Sequence, residues 1–184
     1  MNARVRALLI IAAVTVLDRI SKMYIRAHVP EWDVFPVIRG FFNIDHTENT
    51  GAAFGVFQQS ASQWRPLLLI GISVVVMAII APMLWRAAKP GPDGRLIPSA
   101  LMQTGLAFVF AGALGNLWDR IFRGSVTDFL QFFFGSYEFP SFNAADSSIF
   151  VGACLLLIDM WVNRQVSDGV HNAADGAGGV PSSH

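Results

Sequence analysis

Between Arg65 and Arg86 lie 20 consecutive residues without a charge, PLLLIGISVVVMAIIAPMLW. At about 1.5 Å rise per residue such a run covers about 30 Å, the hydrocarbon thickness of a bilayer. Lipid offers the backbone no hydrogen-bond partner, so the run must be helical and the chain around it a membrane protein. Two further runs follow the same rule. Residues 97–118 are uncharged and rich in small side chains (Gly105, Ala107, Ala111, Gly112, Ala113, Gly115), which let helices approach closely. Residues 147–163 carry one charge, Asp159, near an end where it can reach the interface. Composition agrees: 53% of the 184 residues are hydrophobic and 14% are charged, against about 25% charged in an ordinary soluble domain.

The N-terminal stretch MNARVRALLIIAAVTVL has the basic start and apolar core of a secretory signal peptide. No small-x-small cleavage site follows it. Instead DRISKMYI continues in helical register, with Asp18 and Lys22 at i and i+4 on one face, so a retained helix over residues 6–26 is expected. Four spans (6–26, 66–85, 97–118 and 147–163) put both ends on one side and the long segments 27–65 and 119–146 on the other. On the terminal side the basic residues flank short segments close to the helix ends, which the positive-inside rule assigns to the cytoplasm. Residues 1–164 are therefore expected to form one membrane domain. The small, polar, Gly-rich residues 165–184 are expected to be a disordered cytoplasmic tail.

Several chemistries lack their residues. Thirteen basic and 13 acidic side chains cancel, which leaves no electrostatic footprint for nucleic acid. Cys154 is the only cysteine, so no intrachain disulfide can form. The four histidines lack the spacing of a zinc site, and the serine in LLIGISVVV lacks a nucleophile elbow. Neither a metal nor a cofactor is expected.

The remaining polar residues gather where the third span ends and the fourth begins. GALGNLWDR puts Asn116 and Arg120 on one helix face, either as interfacial anchors or as part of a site. SVTDFLQFFF is β-branched and aromatic and reads as an extended segment at the membrane surface, with Asp128 inside it and few evident donors near that acid. Asn143 stands three residues before Asp146, as a helix N-cap with an acid at N3. Asp146 can be a helix starter that favours its ionised form through the macrodipole, but that role leaves Asp128 unexplained. If 119–146 folds back, the two acids meet above the spans. Facing carboxylates hold one proton between them, so one can activate water while the other polarises a carbonyl. A proton-coupled carrier or a docking factor would use such acids differently, yet neither midplane acids nor an inverted repeat is evident.

Four blocks, DRISK, NTGAAFG at 49–55, AGALGNLWDRIFRGSVTDF at 111–129 and FNAADSSI at 142–149, resemble the bacterial lipoprotein signal peptidases, also called signal peptidase II. The resemblance covers residues about 7 to 164. It implies an α-helical inner-membrane aspartic peptidase with four transmembrane helices and a small extracytoplasmic β-rich cradle. Such an enzyme removes the signal peptide of prolipoproteins before a diacylglyceryl-modified cysteine, so its partners are lipid-modified substrate and membrane lipid. By the same resemblance Asp128 and Asp146 are the catalytic pair and Asn116, Arg120 and Asn143 shape the site. Asn49 and Gly51 belong to the cradle beside substrate, and Asp18 and Lys22 support the first helix. Four positions depart from the family pattern: Arg19, Ser21, Ala111 and Thr127 replace glutamine, threonine, glycine and valine.

Overall fold

The computed structural model describes residues 2–51, 64–86, 89–90 and 96–177, with 64–65, 89–90, 96–97 and 164–177 in backbone only. Four long helices carry the chain: α1 (Ala3–His28), α2 (Trp64–Trp85), α3 (Ala100–Arg123) and α4 (Ala144–Ala177). Between α1 and α2 run β1 (Val34–Ile38) and β2 (Phe42–Asn49), and between α3 and α4 run β5 (Val126–Phe134) and β6 (Tyr137–Phe142). The four pair antiparallel in the order β1-β2-β5-β6. Two short strands, β3 (Lys89–Pro90) and β4 (Leu96–Ile97), pair between α2 and α3. Much of the NTGAAFG block lies outside the described residues.

Contacts at the two ends set the helix directions. Arg4 bonds the Trp85 carbonyl and Arg6 the Ala100 carbonyl, so the start of α1 sits by the end of α2 and the start of α3. Ser99 bonds Asp159 of α4 at the same end. The helices therefore alternate up and down, with the sheet joined to the opposite end of α1, α3 and α4.

α3 is the central helix, packed against the other three. Glycines on α3 and α4 make the closest of these contacts possible. A Cβ on Gly112 would strike the Ala145 carbonyl oxygen and stand 2.7 Å from Ile149 Cγ1, and one on Gly152 would stand 2.6 Å from the Gly105 carbonyl oxygen. Two of these three obstacles are backbone oxygens that cannot step aside, so α3 and α4 come this close only because these side chains are absent, as expected for helices that associate in lipid by close packing.

Three helical segments, Pro66–Trp85, Ala100–Arg123 and Ala144–Asn163, are long and apolar enough to cross a membrane. Only 6% of the first is buried within the protein. A helix that apolar with so little protein cover has lipid as its solvent. α1 falls short because Asp18, Arg19 and Lys22 interrupt its apolar face, although Asp18 and Lys22 are fully buried and paired to each other. α3 also reaches Arg123, beyond the 118 expected, and α4 continues in backbone to Ala177. Asp159 lies near the end of its span, as expected, but its side chain is buried, held by Ser99 and Asn163.

Candidate active site

The strand β5 delivers Asp128 and the first turn of α4 delivers Asp146. Each does so for a local reason. β5 follows Gly124, whose φ of 78 ends α3 in the left-handed region that glycine adopts without strain. α4 starts at a reciprocal cap: Asn143 Oδ1 accepts from the Asp146 N–H at 3.0 Å, and Asp146 Oδ2 accepts from the Asn143 N–H at 3.3 Å.

Asn143 does more than start the helix. Its amide donates to Asp128 Oδ1 at 2.6 Å, and it also reaches Asn116 Oδ1 at 3.4 Å. Asn116, two turns before the end of α3, donates to Asp146 Oδ1 at 2.7 Å. The two carboxylates are thus held by two asparagines that also bond each other. Fully satisfied polar networks of this kind hold one arrangement rigidly.

Asn49, the last residue of β2, donates to Asp128 Oδ2 at 3.1 Å. Its side-chain Oδ1 accepts from the Gly51 N–H at 2.9 Å, a side-chain turn that aims the amide. Gly51 has φ 107, a conformation L side chains rarely adopt. From sequence Asp128 has few donors, yet in the fold it has two. Burial nevertheless dominates: with the Asp146 charge beside it, it pushes the Asp128 carboxyl up from the usual 3.8 to about 7.

The supporting charges form a second layer. Lys22 Nζ lies 3.0 Å from Asp18 Oδ2 and 3.0 Å from Asp119 Oδ2, and donates to Asn116 Oδ1 at 3.1 Å. Asp18 Oδ1 accepts from the Ala145 N–H at 3.0 Å, so α1 helps cap α4. Asp119 also receives Arg19 and, at 3.6 Å, Arg26. Arg19, one of the departures, is therefore an ion-pair partner. Arg120 is not paired within 4 Å with either site carboxylate among the described residues. It bonds the carbonyl of Asn116 at 3.3 Å, and its charge acts on Asp146 and Asp128 through space.

All seven residues singled out for the site, Asp128, Asp146, Asn49, Gly51, Asn116, Arg120 and Asn143, lie in or against this cluster, and Asp18 and Lys22 lie directly beneath it. Asp119 went unremarked in the sequence, although it stands three residues after Asn116 and so shares its helix face. Beside Asp146 and Ser147 opens a cavity of about 500 Å³ lined by Phe132, Phe134, Phe139, Phe142, Phe150 and Val151.

The family described as Signal peptidase (SPase) II matches residues 10–162. The chain is 41% identical over 159 residues to the lipoprotein signal peptidase of Solibacter usitatus, covering 86% of this chain and 92% of that one. It is 37% identical over 178 residues to the lipoprotein signal peptidase of Alteromonas mediterranea, covering 97% and 92%. A solved structure described as a bacterial membrane enzyme aligns with a TM-score of 0.71 at 30% identity, covering 86% of this chain and 89% of that one.

Proposed function

From the premise that this chain belongs to the signal peptidase II family, we propose that it is an aspartic endopeptidase that cuts prolipoproteins before a diacylglyceryl-modified cysteine. The observation that carries this reading is the shared asparagine: Asn143 holds Asp128 with its amide and Asp146 with its cap. In this mechanism Asp146 takes a proton from water as the water oxygen attacks the scissile carbonyl. Asp128 gives its proton to the carbonyl oxygen. The tetrahedral intermediate then collapses: Asp146 gives the proton it took from water to the leaving amine of the lipidated cysteine, the C–N bond breaks, and Asp128 recovers its proton from a hydroxyl of the gem-diol. Asp128, whose burial raises its carboxyl pKa to about 7, suits the acid role.

The phenylalanine-lined cavity supports a lipidated substrate. It opens beside Asp146, and each CH₂ buried from water contributes about 0.8 kcal/mol. An acyl chain held there keeps the modified cysteine next to the acids.

The expected test is direct. Purified full-length protein in detergent cleaves a diacylglyceryl-modified prolipoprotein and leaves the unmodified precursor intact. The rate is bell-shaped in pH. It falls as pH rises through about 7, where Asp128 ionises, and falls again in acid once both carboxyls carry protons. A rate that holds steady above about pH 8, with the protein still folded, rejects the shared proton.

We read α1 as the fourth span, because its Leu8, Leu9, Val16, Leu17 and Ile20 are exposed while Asp18 and Lys22 satisfy each other inside. The termini then lie in the cytoplasm and the sheet and acids face outward. In a Cys154→Ala background, an impermeant thiol reagent added to intact cells is expected to label Asp33→Cys and Ser136→Cys but not Asn2→Cys. Labelling of Asn2→Cys alone inverts the topology.

A further inference from the structure

Adjacent residues of a strand point to opposite faces. The strand pair that presents Asn49 and Asp128 on one face therefore carries Glu48 and Thr127 on the other, where they stand directly opposite each other. Glu48 closes that far face. Its Oε1 accepts from Thr127 Oγ1 at 2.7 Å and meets His46 Nε2 at 3.3 Å, and its Oε2 accepts from Ser125 Oγ at 2.5 Å. His46 is bonded through Nδ1 to the Val29 carbonyl, just past the end of α1, at 2.7 Å. Glu48 thus ties the end of β2 to the start of β5 and, through His46, to α1.

We propose that Glu48 is a positioning residue for Asp128, fixing the strand ends so that Asn49 keeps its amide on the Asp128 carboxylate. The need is local. Asn49 is the last residue of β2, and element ends open more readily than their middles. Glu48, one residue earlier, holds that end from the face opposite the substrate. Thr127 is part of the device, since its hydroxyl donates to Glu48 and a valine in its place would have none to give. Arg26 and Arg123 are the cations whose charges act with Glu48, one from α1 and one from α3. Without the lock, Asp128 is held by Asn143 alone.

The proposal rests on the reading of Asp128 as a reacting acid, so its test follows the carboxyl itself as well as turnover. Isotope-edited infrared titration of Asp128 in the full-length protein is compared for wild type, Glu48→Ala, Asn49→Ala and the double variant. The Asn49 hydrogen bond favours the ionised carboxylate, so its loss raises the Asp128 midpoint. Glu48→Ala is expected to raise it in the same direction, with no further rise in the double variant. The direct effect of removing a nearby negative charge has the opposite sign, so the direction decides. On the same samples kcat falls about 10–100-fold while KM holds, as for an acid displaced by a fraction of an ångström. Thr127→Val, which leaves the Glu48 charge in place, shows a smaller upward shift and serves if Glu48→Ala does not fold. An unmoved or lowered midpoint, or additive shifts, overturns the proposal. The infrared midpoint tests the lock on Asp128 even if cleavage proves to depend on other acids.

Discussion

Asparagine at position 128 or at position 146 abolishes cleavage of a lipidated prolipoprotein, by a factor on the order of 10⁴ or more, and the double replacement costs no more than either single one. The non-additivity follows from the arrangement. One proton serves two carboxyls joined through Asn143 and Asn116, so removing either acid leaves nothing for the other to act with. The fold survives the first change. Burial raises the Asp128 carboxyl from 3.8 to about 7, so the folded state holds this proton more tightly than the unfolded chain. The stabilisation from that proton is complete below about pH 4 and is lost as pH rises through about 7, a difference on the order of 4 kcal/mol. Asp128→Asn removes this pH dependence and stays folded in the alkaline range. Cleavage rates, with melting curves at about pH 5 and about pH 8, on either side of most of that loss, check both halves. The tetrapeptide NAAD recurs at 172–175, and Asp175→Asn is the internal control expected to cleave as wild type. Turnover by either single variant above roughly a hundredth of the wild-type rate excludes the acid pair as the reacting groups.

The second large effect lies beneath the site. Lys22 is fully buried between two fully buried carboxylates, Asp18 and Asp119. Taking away one partner of a buried charge cluster costs about 3–5 kcal/mol, because it strands the charges that remain. Lys22→Met keeps the length of the side chain and removes the ammonium, so it isolates that cost. The Tm in detergent is expected to drop by roughly 10 °C. Cleavage falls too, since Asn116 loses a donor one bond away from Asp146. A change in Tm below about 2 °C would show that the cluster is not stabilising. Lost activity with an unchanged Tm would instead assign Lys22 to the site.

Much of this architecture was legible because membrane spans and helix caps are local signals. The 20-residue uncharged run, the glycines of α3 and the Asn143–Asp146 spacing each name their structure without knowledge of the rest of the chain. The aromatic stretch after Gly124 likewise became β5. What stayed hidden was carried by partners distant in the chain. The place of Asp159 near a helix end was legible, but its burial was not, because its partner Ser99 lies 60 residues away. Asp128 looked short of donors because Asn49 approaches from another strand, 79 residues earlier. Asp119 gave a local hint through its spacing from Asn116, yet its meaning depends on Arg19, Lys22 and Arg26 of a different helix.

Asn143 starts a helix and holds an acid with the same side chain. Two selective pressures therefore fall on one codon. Aspartate or serine can begin a helix equally well, but neither carries an amide to present to Asp128, and glutamine carries the amide at the wrong reach for the cap. Few exchanges satisfy both demands, so saturation mutagenesis of this fully buried position is expected to return almost no active variant but the wild type.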